Sequence, residues 1–250
     1  MIKKILVSQP KPKGRSPYSD LEEKYGIKVD FMKFFGIEGI DAKEFRKSKV
    51  KIEDFDGIIF TSRTAIDHFF RITEELKTTI PNTMKYYCIN EQVALYLQKY
   101  TIYRKRKVSY GNGTNDSLIE ILSKNKDEKL LLPMSEGHKS TLYNTLKKNK
   151  FKITKAEIYR TVSVDLKNID IKQYDLVVLF SPWGVKALLD NFPDFKETGV
   201  MVAAFGNETN KALKKVDIKP EIKAPTKKSP SMPAAIEEYI EKLIAEKANA

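Results

Sequence analysis

Two stretches of this sequence superpose without a gap: Phe55-Asp56-Gly57-Ile58-Ile59-Phe60-Thr61-Ser62 on Tyr174-Asp175-Leu176-Val177-Val178-Leu179-Phe180-Ser181. At nearly the same spacing Ile89-Asn90-Glu91-Gln92 matches Gly206-Asn207-Glu208-Thr209, and Leu118, Ile121 and Leu122 match Ile236, Tyr239 and Ile240. The spacing drifts by only two residues across three elements, which is the trace a duplicated unit leaves. Ile5-Leu6-Val7, followed by a helix ending at Gly26-Ile27-Lys28-Val29, recurs as Leu130-Leu131-Leu132 with a helix ending at Lys150-Phe151-Lys152-Ile153. The competing explanation is that any two α/β domains look alike at this level. A chain of 250 residues exceeds one comfortable core and divides naturally into two domains of about 120 residues.

Each copy alternates short apolar runs with amphipathic stretches of helical period, the pattern of a parallel sheet. Strands are expected at Ile5–Val7, Gly57–Phe60, Tyr86–Ile89, Leu176–Phe180 and Val200–Phe205. Helices are expected at Tyr18–Tyr25, Thr64–Ile72, Glu91–Gln98, Gly184–Asn191, Thr209–Lys215 and Pro233–Glu246. A β-like segment from Lys155 to Val164 separates the two copies.

Composition removes several function classes. With 41% hydrophobic and 31% charged residues the chain is neither disordered nor membrane-spanning in character. The apolar run after Lys3 and Lys4 stops at Ser8, too short for a signal peptide, and the one cysteine, Cys88, permits no internal disulfide. Both facts point to a cytoplasmic protein with Cys88 as a core thiol. The net charge of +12 favours anionic partners. Nucleic acid is not favoured among them: Tyr103-Arg104-Lys105-Arg106-Lys107 and Lys147-Lys148-Asn149-Lys150 read as solvated faces, and no nucleic-acid module is recognisable.

In open parallel sheets, ligands bind beyond the carboxyl ends of the strands, where helix N-termini present free N–H groups. Ser62 and Ser181 fall there, and so do Asn207 and Thr209. Each is also an ordinary N-cap residue, and capping and ligand binding can coexist. There is no P-loop lysine motif, G-x-G-x-x-G or CxxC, and two histidines, His68 and His138, do not make a multi-histidine metal site. His68, beside Phe69 and Phe70, reads as packing or surface. Ser135-Glu136-Gly137-His138 lacks a nucleophile-elbow sequence. Tyr159 can donate a proton or simply pack.

Taken together, Ile5-Leu6-Val7-Ser8, Asp56 to Ser62, Ile158-Tyr159-Arg160-Thr161, Leu179 to Val185 and Val202 to Thr209 resemble the uroporphyrinogen-III synthase family over nearly the whole chain. The resemblance implies two flavodoxin-like parallel-sheet α/β domains joined by a two-stranded linker, with the ligand cleft between them. One domain would combine 1–32 with 166–250, the other would span 38–158, and 33–37 and 159–165 would be the linker strands. It also implies the reaction: hydroxymethylbilane, a linear tetrapyrrole with eight carboxylates, is closed to uroporphyrinogen III with inversion of the last ring and loss of water. No cofactor and no metal are expected. The enzyme is expected to be a monomer, with transient contact to the enzyme supplying its substrate and no membrane partner.

Carried over by position, the resemblance makes Ser62, Asn90, Gln92, Ser181, Gly206, Asn207 and Thr209 substrate-binding residues and Tyr159 a general acid. One departure stands out. Ile89 and Gln92 replace the family's usual glycine and small residue, whereas Gly206 keeps the glycine in the second copy. That departure keeps open a non-catalytic tetrapyrrole- or polyanion-binding relative as the alternative function.

Overall fold

The structure is a computed structural model and describes residues 2–248. The chain forms two compact units, one continuous over residues 37–161 and one assembled from residues 2–36 and 162–248. In chain order, β1 (Lys4–Val7), α1 (Ser19–Tyr25) and β2 (Lys28–Phe31) begin the discontinuous unit, and β3 (Phe35–Gly39) follows. The continuous unit runs through α2 (Ala42–Phe45), β4 (Gly57–Phe60), α3 (Arg63–Leu76), β5 (Lys85–Cys88), α4 (Glu91–Tyr96), β6 (Val108–Tyr110), α5 (Asn115–Ser123), β7 (Lys129–Ser135), α6 (Thr141–Lys148) and β8 (Lys152–Ser163). The chain then adds β9 (Leu176–Leu179), α7 (Pro182–Asn191), β10 (Met201–Phe205), α8 (Asn207–Lys215), β11 (Ile222–Ala224) and α9 (Met232–Ala248).

One sheet has the order β2-β1-β9-β10-β11 and the other β8-β7-β4-β5-β6, with β3 outside β8. Every pairing within these two five-strand sets is parallel. Counted in its own chain order, the first sheet reads 2-1-3-4-5, the flavodoxin-like arrangement. The second is a cyclic permutation of it: with β7 and β8 counted first and second, it reads 2-1-3-4-5 as well. The repeat seen in the sequence therefore lands on equivalent strands, β4 on β9, β5 on β10, β1 on β7 and β2 on β8.

The continuous apolar runs are explained by burial on both faces, as parallel sheets require. In the continuous unit Ile58, Phe60, Tyr86 and Cys88 enter one core while Ile59, Tyr87, Leu130 and Leu132 enter the other. In the discontinuous unit Ile5, Val7, Leu176 and Val178 face one side, and Leu6, Val177, Leu179 and Ala204 the other. Fully burying such a side chain contributes on the order of 1.5–3 kcal/mol, so both faces of each sheet stabilise their unit. Cys88 is a core thiol, its pKa pushed up to about 12 by burial.

Element ends move slightly from expectation. Helix α7 begins two residues early because Pro182 suits the first helical position. Helix α4 stops at Tyr96, and Leu97–Lys99 tighten into a 3-10 turn.

Candidate functional site

With a 2-1-3-4-5 order, the crevice for ligand opens past the carboxyl ends of the two strands where the order reverses. Those strands are β7 and β4 in the continuous unit, β1 and β9 in the other.

In the continuous unit the ladder places Phe60, Cys88 and Tyr110 on one rung. The residues two positions further on, Ser62, Asn90 and Asn112, therefore form a row along the carboxyl edge. Ser62 accepts from the Ala65 amide at 3.1 Å and caps α3, and Asn90 accepts from the Val93 amide at 2.9 Å and caps α4. Asn90, Glu91 and Gln92 share an open depression of about 640 Å³ with Tyr110, Gly111, Asn112 and Ser117, and the Glu91 carboxylate there accepts from the Tyr110 hydroxyl at 3.1 Å. Asn112 Oδ1 accepts from the Thr114 amide at 3.1 Å and hydroxyl at 2.8 Å, which leaves its Nδ2 to donate outward. A Cβ on Gly111 would lie 3.1 Å from both the Ile89 carbonyl and Ser117 Oγ, so the turn after β6 is tightly packed against α5 at this glycine.

Tyr159 lies on β8, where the pairing passes from Met134 opposite Glu157 to Ser135 opposite Tyr159. Ile158 is thus the extra residue of a β-bulge, a device that re-aims the side chain after it. The Tyr159 phenol is half-buried; burial raises its pKa, and the nearby Ser62 hydroxyl acts in the opposite sense by stabilising the ionised form. The His68 ring stacks on it, with centroids 5.1 Å apart and planes 26° apart. Burial, then the Arg71 charge, holds the His68 pKa below its ordinary value, so the imidazole is neutral at pH 7. Arg160 pairs with Glu44 and Glu136, so the acids beside Tyr159 are neutralised rather than left to repel an anion.

In the discontinuous unit Ser181 accepts from the Gly184 amide at 3.1 Å and caps α7. Ser8, buried at the end of β1, approaches the same turn: a Cβ on Gly184 would stand 3.6 Å from Ser8 Oγ and 3.7 Å from Ser181 Oγ. Trp183, in the first turn of α7, is 38% exposed and presents an apolar face there. At the next strand Gly206 adopts φ +85°, a conformation that favours glycine, and Asn207 opens α8. Asn210 Nδ2 donates to the Gly206 carbonyl at 2.9 Å and holds the turn. Asn207 is exposed, but Thr209 is 1% exposed, so the outward donors at this turn are Asn207 and the first amides of α8.

The two turns that match in sequence differ in backbone. Asn90 is an extended N-cap with φ −152°, whereas Asn207 is already helical and Gly206 holds the cap position. Isoleucine at 89 is compatible with the first geometry and would be strained in the second. Each unit thus gathers its own share of the expected residues: Ser62, Asn90, Gln92 and Tyr159 in one, Ser181, Gly206, Asn207 and Thr209 in the other.

Sequence reasoning gave no site role to Ser8, Arg71, Asn112, Ser117 or Trp183 and read His68 as packing or surface. The run Gly111-Asn112-Gly113-Thr114 carried a turn-and-cap signal that could have found Asn112. The stacking of His68 had no local signal. Among the described residues no group of three His, Cys, Asp or Glu side chains is placed to hold a metal ion, and no helix is long and apolar enough to cross a membrane.

Residues 16–234 match the family described as uroporphyrinogen-III synthase HemD. Among solved structures, uroporphyrinogen-III synthetase from Helicobacter pylori is similar at 18% identity, covering 96% of this chain and 99% of that one, with a TM-score of 0.56. A mutant uroporphyrinogen III synthase from Thermus thermophilus is 16% identical over 96% of this chain and 99% of that one, with a TM-score of 0.49. Comparison with curated protein sequences returns no match.

Proposed function

The chain belongs to the uroporphyrinogen-III synthase family, lyases that close hydroxymethylbilane to uroporphyrinogen III with inversion of the last pyrrole ring and loss of water, and from that premise we propose how its residues carry the reaction. The observation that supports the assignment of roles is the placement of Tyr159 at the β8 bulge, its ring stacked on His68 of the helix that Ser62 caps at the carboxyl edge of the continuous unit.

The substrate brings eight carboxylates, and the protein offers outward hydrogen-bond donors rather than fixed ion pairs to receive them. In the continuous unit these are the first amides of α3, the Ser62 hydroxyl, Asn90, Gln92 and Asn112. In the discontinuous unit they are the first amides of α7 and α8, Ser181 and Asn207. Helix N-termini favour negative charge by about 0.3–1 kcal/mol each, so several together give graded, distributed holding. Trp183 offers a flat face to a pyrrole ring.

The chemistry asks little of the protein. The Tyr159 phenol gives its proton to the departing terminal hydroxyl, which leaves as water. Formation of the new carbon–carbon bond, through the ring-inverting spiro intermediate, later releases a ring proton that can return to the phenolate. Burial keeps the phenol protonated before that step, and the Ser62 hydroxyl eases the transient charge after it. Closure without inversion occurs spontaneously, so the main task is to hold one folded geometry. A reducing compartment suits this enzyme, whose one cysteine is buried and unpaired.

The test is to supply freshly generated hydroxymethylbilane and separate the product isomers. Uroporphyrinogen III faster than the spontaneous closure is expected. Only the uninverted isomer at the spontaneous rate would favour the binding-protein reading. Tyr159→Phe is expected to turn over ten- to a hundredfold more slowly, at the low end of general-acid effects, while still making mostly the inverted isomer. Unchanged turnover would return Tyr159 to a packing role.

A further inference from the structure

We propose that Arg71 and His68 are positioning residues for Tyr159, working as one device that locks the β8 bulge and seats the phenol ring. The inference rests on the role given to Tyr159 above.

Next to the bulge the Tyr159 carbonyl accepts from the Glu136 amide on the β7 side, and the Ile158 carbonyl faces the opposite side, where a buried carbonyl needs partners of its own. Two donors meet it: the Ile40 amide at 3.0 Å and Arg71 Nη2 at 3.1 Å. The same Nη2 donates to the Ile40 carbonyl at 2.7 Å, so one guanidinium ties the chain after β3 to the bulge. Arg71 Nε donates to His68 Nδ1 at 3.3 Å. That bond requires an unprotonated Nδ1, so it selects the neutral tautomer and fixes the plane of the ring that stacks on Tyr159. Glu75, one turn along α3, pairs with Arg71 and accepts from the Ala42 amide at 3.1 Å, which anchors the far side of the guanidinium.

The geometry also explains Gly39. A Cβ at that position would stand 2.5 Å from Arg71 Nε and Cζ and 2.7 Å from Nη2. The space above Gly39 is filled by the guanidinium. His68, Arg71 and Glu75 recur at three- and four-residue spacing, so one face of α3 carries the device, and Ser62 caps the same helix. Arg71 and His68 act through Tyr159 and need no contact with substrate.

The experiment compares His68→Ala, His68→Phe, Gly39→Ala and Tyr159→Phe, alone and combined, by kcat, KM and thermal unfolding. Gly39→Ala displaces the guanidinium without removing it, so it reports on positioning even if variants of Arg71 itself fail to fold. Both His68→Ala and Gly39→Ala are expected to lower kcat about five- to twentyfold, the scale of a misaligned general acid, with KM within twofold. His68→Phe, which keeps a flat ring, is expected to recover most of the loss. In the Tyr159→Phe background neither substitution should slow turnover further. Wild-type kcat in His68→Ala and Gly39→Ala, or losses that multiply with that of Tyr159→Phe, would overturn the device. If Tyr159→Phe alone were unimpaired, the role of the phenol would fail instead, and the two failures are told apart by that single variant.

Discussion

Ser62 and Ser181 have the same backbone conformation, φ −158° and ψ 159° in one and φ −157° and ψ 159° in the other, and each accepts from the amide three residues on at 3.1 Å. Sequence repetition here has become repetition of geometry to within a degree. The equivalence lets capping and substrate holding be separated by charge. Aspartate caps as well as serine does, whereas alanine loses about 1 kcal/mol. Ser62→Asp and Ser181→Asp are expected to unfold at the wild-type denaturant midpoint yet raise KM about tenfold or more, because a carboxylate repels the substrate's own. Ser62→Ala and Ser181→Ala should show the reverse emphasis, with lowered midpoints and a smaller change in KM. Unchanged KM in the aspartate variants would leave both serines as caps alone.

The phenol of Tyr159 must be protonated to donate, and burial moves its pKa upward from 10.0. The donor form therefore persists through neutral and mildly alkaline pH and is lost only as pH rises past that elevated value. A pH–rate profile for kcat should show no Tyr159 limb below pH 10, because an ordinary tyrosine already titrates at 10.0. A limb below pH 9 that vanished in Tyr159→Phe would contradict the assignment of burial as the dominant influence.

Gly57 opens β4 beneath two filled positions. A Cβ there would come 2.7 Å from Tyr87 Cε2 and 3.1 Å from Leu130 Cδ2, and both of those side chains are buried. The Tyr87 ring is further held by its hydroxyl, which donates to Glu128 at 2.6 Å. Gly57→Ala is expected to cost about 1–3 kcal/mol by overpacking, read as a lower denaturation midpoint. A neutral or stabilising outcome would mean that the ring can move aside.

Trp183 is the one tryptophan of the chain and sits beside the Ser181 cap. Its fluorescence should change when tetrapyrrole binds, which gives a direct titration. Because the protein carries a net charge of +12 and the substrate is a polyanion, the apparent affinity is expected to fall several-fold between about 0.05 and 0.5 M salt, with screening lengths of about 10 Å at 0.1 M. An affinity indifferent to salt would assign recognition to the short-range donors alone.

The repeat was legible in the sequence because period-two burial on both faces writes each parallel strand as an unbroken apolar run, as at Ile58–Phe60 and Leu176–Leu179. The serine caps were legible because N-caps demand a small set of residue types. What the sequence did not show is what arises between elements distant in the chain. Nothing near His68 announces a ring from β8 stacking on it, and Gly39 betrays no reason for being glycine until Arg71 is seen above it. Thr209 matched the family by position, yet its place as the third residue of α8 buries it. The Ile89 departure kept a non-catalytic relative open while Asn90 and Gln92 stayed candidate binding residues; in the structure Asn90 caps α4 in a turn that needs no positive φ.

The cyclic permutation that relates the two sheets has a consequence in time. As the chain emerges from the ribosome, β1 and β2 appear before the strands of the other sheet, but the inner partner of β1 is β9, which begins only at Leu176. By then residues 37–161 have been made in full, and every strand of the second sheet is present to pair. The continuous unit can therefore close before its neighbour has half its sheet, and β1 keeps one unpaired edge throughout that interval. Leu176 and the strands after it complete the sheet that β1 began, so assembly proceeds from the continuous unit to the discontinuous one.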